Sequence, residues 1–273
     1  MNSLCRPSKE LSCFRCCPPI RPADYDHLDH RAQMVRLLRE NTAALNQNDP
    51  QPITGFSCWG LGFLDASERL VGCLLHPAQN QDRDRRDLTG YGQKCAREVC
   101  PQAQVFTALP PPVQEAGLAL CQGQDSFAFS SPQTNPLWGL LAWGEEVVAT
   151  SVAGWRSGAG PWFVYLTTHP RPKARAYLLA RVFQGFDPSE FGQLDPDRFE
   201  AEAEALCGRL GPLSSSPLGA APYLHRLDLE PGMADLLRFG LGLTRLDPAP
   251  ALKLQGRLKQ EAARLAWRLS PQR

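Results

Sequence analysis

The stretch Cys13-Phe14-Arg15-Cys16-Cys17-Pro18-Pro19 organises the reading of this chain. Its Cys-x2-Cys spacing lets two thiolates converge on one centre around a tight turn. The paired prolines stop any helix there and stiffen the exit. Cys17 follows Cys16 directly, and consecutive side chains diverge, so Cys17 is read as serving a second metal, a cluster edge or only the local core.

Three further groups lie outward from it. Cys73-Leu74-Leu75-His76-Pro77 repeats the x2 spacing with a thiolate and an imidazole, a pairing suited to zinc and compatible with iron-sulfur ligation. Cys58 sits in Thr54-Gly55-Phe56-Ser57-Cys58-Trp59-Gly60-Leu61-Gly62-Phe63-Leu64-Asp65, where glycines permit a tight backbone path and aromatic rings can shield a centre from water. Cys95-Ala96-Arg97-Glu98-Val99-Cys100 reads as a short helix ended by Pro101. Residues five apart are about 140° from each other on an ideal helix, so Cys95 and Cys100 face one site only if the last turn unwinds. Lys94 and Arg97 read as solvent-facing residues, with offsetting thiolate charge as the alternative.

Eight of the ten cysteines lie in the first hundred residues. No apolar stretch of signal-peptide length follows Arg6 and Lys9, which gives the expectation of a cytoplasmic chain. In a reducing compartment disulfides are rare, so clustered cysteines point to metal binding or thiol chemistry. The candidate ligands are therefore Cys13, Cys16, Cys17, Cys58, Cys73, His76, Cys95 and Cys100. They suffice for one cluster with spares or for two four-ligand sites. The set accepts either zinc or an iron-sulfur cluster: His76 points to zinc, the surplus of cysteines to a cluster. Cys5 is set aside for its position, and Cys121 and Cys207 read as packed small hydrophobes.

This arrangement resembles the YkgJ-like family of zinc- or iron-chelating cysteine-cluster proteins over about residues 13 to 100. The matching elements are Cys13, Cys16 and Cys17; Cys58 with Phe63-Leu64-Asp65; Cys73-Leu74-Leu75-His76; and Cys95. The resemblance implies chelation and carries no reaction with it.

Composition bounds the rest. With 29 Lys+Arg against 28 Asp+Glu the chain has no global field for nucleic acid or an acidic membrane, and no segment has the length of an apolar membrane span. At 273 residues it buries a core without needing disulfides, so small size does not explain the cysteines. The expected fold is mainly α, with an irregular, loop-rich cysteine-cluster region and a few short strands. Pro110-Pro111-Pro112 and the polar stretch from Gln122 to Asn135 read as connectors. They divide a cysteine-rich region, 1–125, from a mainly helical supporting or interaction region, 126–273.

Leu28 to Asn41 reads as an amphipathic helix, with Leu28, Val35 and Leu38 inside and Arg31, Arg36, Arg39 and Glu40 outside. His27 and His30 at its start are read as surface or capping residues. The apolar stretch from Leu137 to Val147 fits a buried helix or two strands, and its tryptophans, with Trp155 and Trp162, read as core. Asp195-Pro196 opens a helix with Phe199, Ala203, Leu206 and Leu210 inside and Glu200, Glu202 and Glu204 outside. A last helix buries Leu254, Leu258, Ala262, Leu265 and Leu269; its basic outer face, with Lys253 and Arg264, reads as solvated, a protein partner or an acidic surface being the alternative. His169 and His225 have no nucleophile motif around them and no Gly-rich phosphate loop occurs, so no catalytic residue is assigned. A thiol-disulfide or redox-sensing role for Cys13, Cys16 and Cys17 is the alternative; it requires a depressed thiol pKa.

Overall fold

The computed structural model describes residues 3–17, 25–45, 58–97, 100–155, 160–186, 194–211 and 221–269, without the side chains of 94, 96, 97 and 152–155. Pro18, Pro19, Thr54 to Ser57, Glu98 and Val99, and the side chains of Lys94, Arg97 and Trp155, thus lie outside the described residues. The fold is mainly α with one two-stranded antiparallel hairpin. In chain order the elements are α1 (Arg31–Leu45), β1 (Leu61–Phe63), β2 (Val71–Cys73), α2 (Gly92–Arg97), α3 (Pro101–Ala108), α4 (Pro111–Ala119), α5 (Ser126–Ser130) and α6 (Pro136–Leu141). They continue with α7 (Glu145–Trp155), α8 (Pro161–Thr168), α9 (Ala176–Gln184), α10 (Pro196–Leu210), α11 (Met233–Asp235) and α12 (Pro248–Leu269). Among the described residues no helix is long and apolar enough to cross a membrane.

The chain forms two compact units, one of residues Met1–Ala108 and Leu118–Trp138, the other of Leu109–Gly117 and Gly139–Arg273. Short α4 contributes residues to the second although it is flanked in sequence by the first.

The first unit is small in regular structure and held by side chains reaching loop backbone. Its core comprises Phe14, Met34, Leu38, Leu61, Phe63, Val71 and Phe127, with Leu28, Val35, Cys17 and Cys58 packed against it. Each fully buried Leu or Phe contributes about 1.5–3 kcal/mol. The hairpin pairs Leu61 with Cys73, Gly62 with Gly72 and Phe63 with Val71. Helix α1 lies directly on it: Thr42 Oγ1 accepts from Phe63 N at 2.9 Å, and Asn41 Nδ2 donates to the carbonyls of Cys58 at 3.0 Å and Leu61 at 2.9 Å. A Cβ at Gly62 would collide with Leu74 and with that same Thr42 hydroxyl, so glycine is what permits the close approach. On another side, α5 presents a row of serines. Ser126 Oγ accepts from Val71 N at 3.0 Å and shares a 2.8 Å hydrogen bond with Ser12, while Ser130 Oγ accepts from Phe14 N at 3.0 Å. The loop carrying Cys13 is thereby fastened to both hairpin and helix.

Several local expectations change. Helix α1 starts three residues later than the periodicity from Leu28 indicates and runs on to Leu45. His27 is not at the surface: it is buried, its ring 4.2 Å from that of Phe14 and its Nε2 at 3.2 Å from the Phe14 carbonyl. The triple proline is no mere connector, because Pro111 and Pro112 occupy the first turn of α4, where a missing N–H costs nothing. Pro101 likewise opens α3.

The second unit is a helical assembly around α9, whose Tyr177, Leu178, Leu179, Ala180, Val182 and Phe183 are all buried and which packs against α7 and α12. The expected inner faces of α10 and α12 are observed, Cys207 included. The stretch from Leu137 to Val147 forms α6 and the start of α7, the helical alternative and not the two strands, and Trp143 is core, its Nε1 donating to the Leu166 carbonyl at 2.8 Å. Trp138, in the first unit, is also core; its Nε1 donates to the Phe129 carbonyl at 2.7 Å. Glu200 departs from the outward face assigned to it. It accepts from Arg175 at 2.8 Å and from the Tyr165 hydroxyl at 2.8 Å, with His169 Nε2 at 3.4 Å. Burial alone would raise its carboxyl, but these three donors outweigh it and hold the pKa at about 2.

Candidate metal centre

The cysteines reach one place from four separate segments. Cys13, Cys16 and Cys17 come from the N-terminal loop, where Cys17 N donates to the Phe14 carbonyl at 3.0 Å and closes a turn. Cys58 precedes β1 and its carbonyl accepts from Leu61 N at 2.9 Å. Cys73 ends β2 opposite Leu61, so the register brings Cys58 and Cys73 to the same end of the hairpin. Cys95 lies on α2, and Cys100 stands before α3, its Sγ accepting from Ala103 N at 3.4 Å in the manner of an N-cap. Helix α2 runs to Arg97 and α3 begins at Pro101, so the two cysteines belong to different elements.

All seven expected cysteines and His76 line a single cavity of about 740 Å³. Cys5, set aside on sequence grounds, lines it too. No x2 spacing marks Cys5; the fold brings it in because Cys13 N donates to the Cys5 carbonyl at 2.9 Å, folding the N-terminus back on the first motif. Arg6 and Arg86 also line the cavity, and among the described lining residues there is no carboxylate. Arg86 has a defined seat: its Nη1 donates to the Cys95 carbonyl at 3.1 Å and its other nitrogens grip Asp84, whose carboxyl is drawn down to about 2. The charge run Asp82 to Asp87 is loop up to Arg85 and then enters a short 3-10 turn, Arg86–Thr89, with Arg86 turned to the cavity.

None of the ten cysteines is in a disulfide. Cys5 and Cys16 are exposed, the other six at the cavity are half-buried, and Cys121 and Cys207 are buried. Cys121 is the small core residue expected of it, its Sγ 3.2 Å from Asn135 Oδ1. Burial pushes the Cys58 thiol up to about 11 and raises Cys13, Cys73 and Cys100 as well. Cys17 is raised first by its hydrogen bond with Cys16 and then by burial. A thiolate nucleophile needs the opposite shift, so these surroundings do not favour the redox-enzyme alternative.

His76 Nδ1 accepts from Ala78 N at 3.2 Å, which leaves Nε2 as the ring nitrogen able to bind a metal. Burial, followed by the Arg86 charge, lowers its pKa and favours the neutral ring. Among the described residues no three His, Cys, Asp or Glu side chains form a group that could hold one ion.

The donor set fits a soft metal. Among the described lining residues it is thiol with one imidazole, with two arginines at hand to balance thiolate charge. No family model, curated protein or solved structure matches the chain.

Proposed function

We propose that the first unit is a thiolate-ligated metal domain and that its centre is an iron-sulfur cluster rather than a lone zinc ion. The observation that carries this reading is the gathering of eight cysteines, from the N-terminus to Cys100, around one cavity. Packing does not demand it: a core of Phe, Leu, Met and Val already exists beside the cavity. Zinc with Zn–S bonds of ~2.3 Å draws its ligands into one tight tetrahedron. The thiols here surround a volume larger than one ion needs, and no three described donors form a single-ion group. A cluster spreads its ligands over several iron atoms and accepts thiolates dispersed in this way.

When bound, such a centre supplies electron-exchange capacity and cross-links the N-terminal loop, the hairpin and the α2–α3 region. The chain's own contribution is to hold the thiols, to place Arg6 and Arg86 against their charge, and to shield one wall with Phe14, Leu61 and Leu64. The second unit is then a supporting or interaction module.

Anaerobic purification of the full chain tests this. We expect stoichiometric iron and acid-labile sulfide with broad visible absorption. Stoichiometric zinc without colour would replace the cluster by zinc, and a folded chain with neither metal would end the reading.

A further inference from the structure

Helix α12 carries a second, outward face. Among the described residues the two most exposed large apolar side chains are both on it, Trp267 at 78% and Leu252 at 72%. Leu252, Gly256, Lys259, Ala263 and Trp267 follow one another at i, i+4, i+7, i+11 and i+15, a single line along the helix, and all five are exposed. At 1.5 Å per residue the line is ~22 Å long. Between its bulky ends it is low. Ala263 offers a methyl group, the Lys259 ammonium is turned aside to Glu230 at 2.6 Å, and a Cβ added at Gly256 would meet nothing within 4 Å. Glycine is, after proline, the residue a helix interior tolerates least, and no packing among the described residues asks for it here.

A second line runs beside the first, one residue on: Lys253, Arg257, Gln260 and Arg264, all exposed. Among the described residues neither Lys253 nor Arg257 is in an ion pair, and Arg264 shares Glu261, the one acidic residue of α12, with Arg209. An apolar seam with a low middle is thus bordered along one flank by positive charge.

We propose that this face seats one helix of a partner protein, an amphipathic helix with an apolar row for Leu252 and Trp267 and with Asp or Glu beside it for Lys253, Arg257 and Arg264. Gly256 and Ala263 let the two backbones approach, the bulky ends fix the register, and the basic line fixes the sign of the partner's charge. A second copy of this chain does not fit. Antiparallel pairing of two such faces lays basic line beside basic line, and parallel pairing lays it beside the opposite flank, where Gln255 and Lys259 stand and no acid does. A lipid surface gains by the apolar area inserted into it, and Gly256 and Ala263 supply little. The proposal takes the interaction role for the second unit and stands whatever the first unit's cavity holds.

The probe is a displayed library of single helices, leucine fixed along one row and the bordering rows randomised, selected on the full chain as purified anaerobically. We expect enrichment of Asp and Glu in one bordering row. For a selected helix, Leu252→Ala/Trp267→Ala and Lys253→Glu/Arg257→Glu should each weaken binding about tenfold or more, the second pair also flattening its salt dependence. Gly256→Leu, which improves the helix while filling the low middle, should weaken it likewise with helical circular dichroism retained. Metal content, measured alongside, should be unchanged in all three, so the proposal and the metal-domain reading fail separately. Selection of no helix, of neutral or basic helices, or of acidic ones indifferent to these variants overturns the proposal. So does dimerisation in sedimentation, or binding to phosphatidylserine–phosphatidylcholine vesicles, that Leu252→Ala/Trp267→Ala abolishes.

Discussion

The two units are stabilised by different means, although one chain of ordinary composition builds both. The second holds itself together with helices whose buried faces are long and continuous: α9 buries six of nine residues, and α12 buries one residue every turn along its length. The first has three-residue strands, a five-residue helix and long connections, and its backbone is tied by Asn41, Thr42, Ser12, Ser126 and Ser130. Beside its apolar core it has a cavity walled by thiols. A thiol-lined cavity in one unit and continuous apolar helix faces in the other are thus what set the two apart.

On the proposed metal-domain reading, removing the metal breaks the difference most severely. A structural thiolate site contributes of order 10 kcal/mol to folding, so chelation should open the first unit's amides to hydrogen exchange while those of α9, α10 and α12 keep their protection. The converse is Leu258→Ala, at a fully buried position of α12. It should lower the second unit's stability by about 2–5 kcal/mol in denaturant melts and leave metal content unchanged.

Glu200→Gln comes next. It removes the charge facing the buried Arg175, at an expected cost of about 2 kcal/mol, moderated because the Glu200 side chain is 29% exposed. The sign of its pH dependence follows from the lowered pKa. The carboxylate's contribution is full above its ordinary 4.5 and is lost as pH falls toward about 2. Melts of the second unit should weaken over that interval in wild type and show a flatter profile in the variant. Asn41→Ala, which releases the Cys58 and Leu61 carbonyls, should cost about 1–2 kcal/mol and also slow metal uptake. Asp125→Ala is the smallest change. It deletes the N-cap of α5 and should cost about 1 kcal/mol, read from the melt of the first unit.

Legibility followed the same divide. The helices of the second unit carry their own period, so Phe199, Ala203, Leu206 and Leu210, and the Leu254 to Leu269 stripe, could be read off directly. Glu200 could not, because its partners Tyr165, His169 and Arg175 are remote in sequence. In the first unit, short-range spacing marked Cys13, Cys16, Cys73 and His76, and clustering brought in the others. Cys5 escaped because only the backbone bond from Cys13 brings it to the cavity, and Arg86 because one arginine in a run of charges has no local mark. The prolines misled for a simple reason: a proline that stops one helix is equally suited to begin the next, as Pro101 and Pro111 do.

The central claim is that eight cysteines act as metal ligands, and site-resolved alkylation of the native chain, before and after chelation, tests it most directly. Cys5 and Cys16 are exposed and would react at once as ordinary thiols, whereas Cys121 and Cys207 are buried whatever the cavity holds. We expect all eight cavity cysteines to be protected together in the metal-loaded chain and to become reactive on chelation, with Cys207 unchanged. Immediate labelling of Cys5 and Cys16 in the chain as isolated, at a rate indifferent to chelation, would contradict the account.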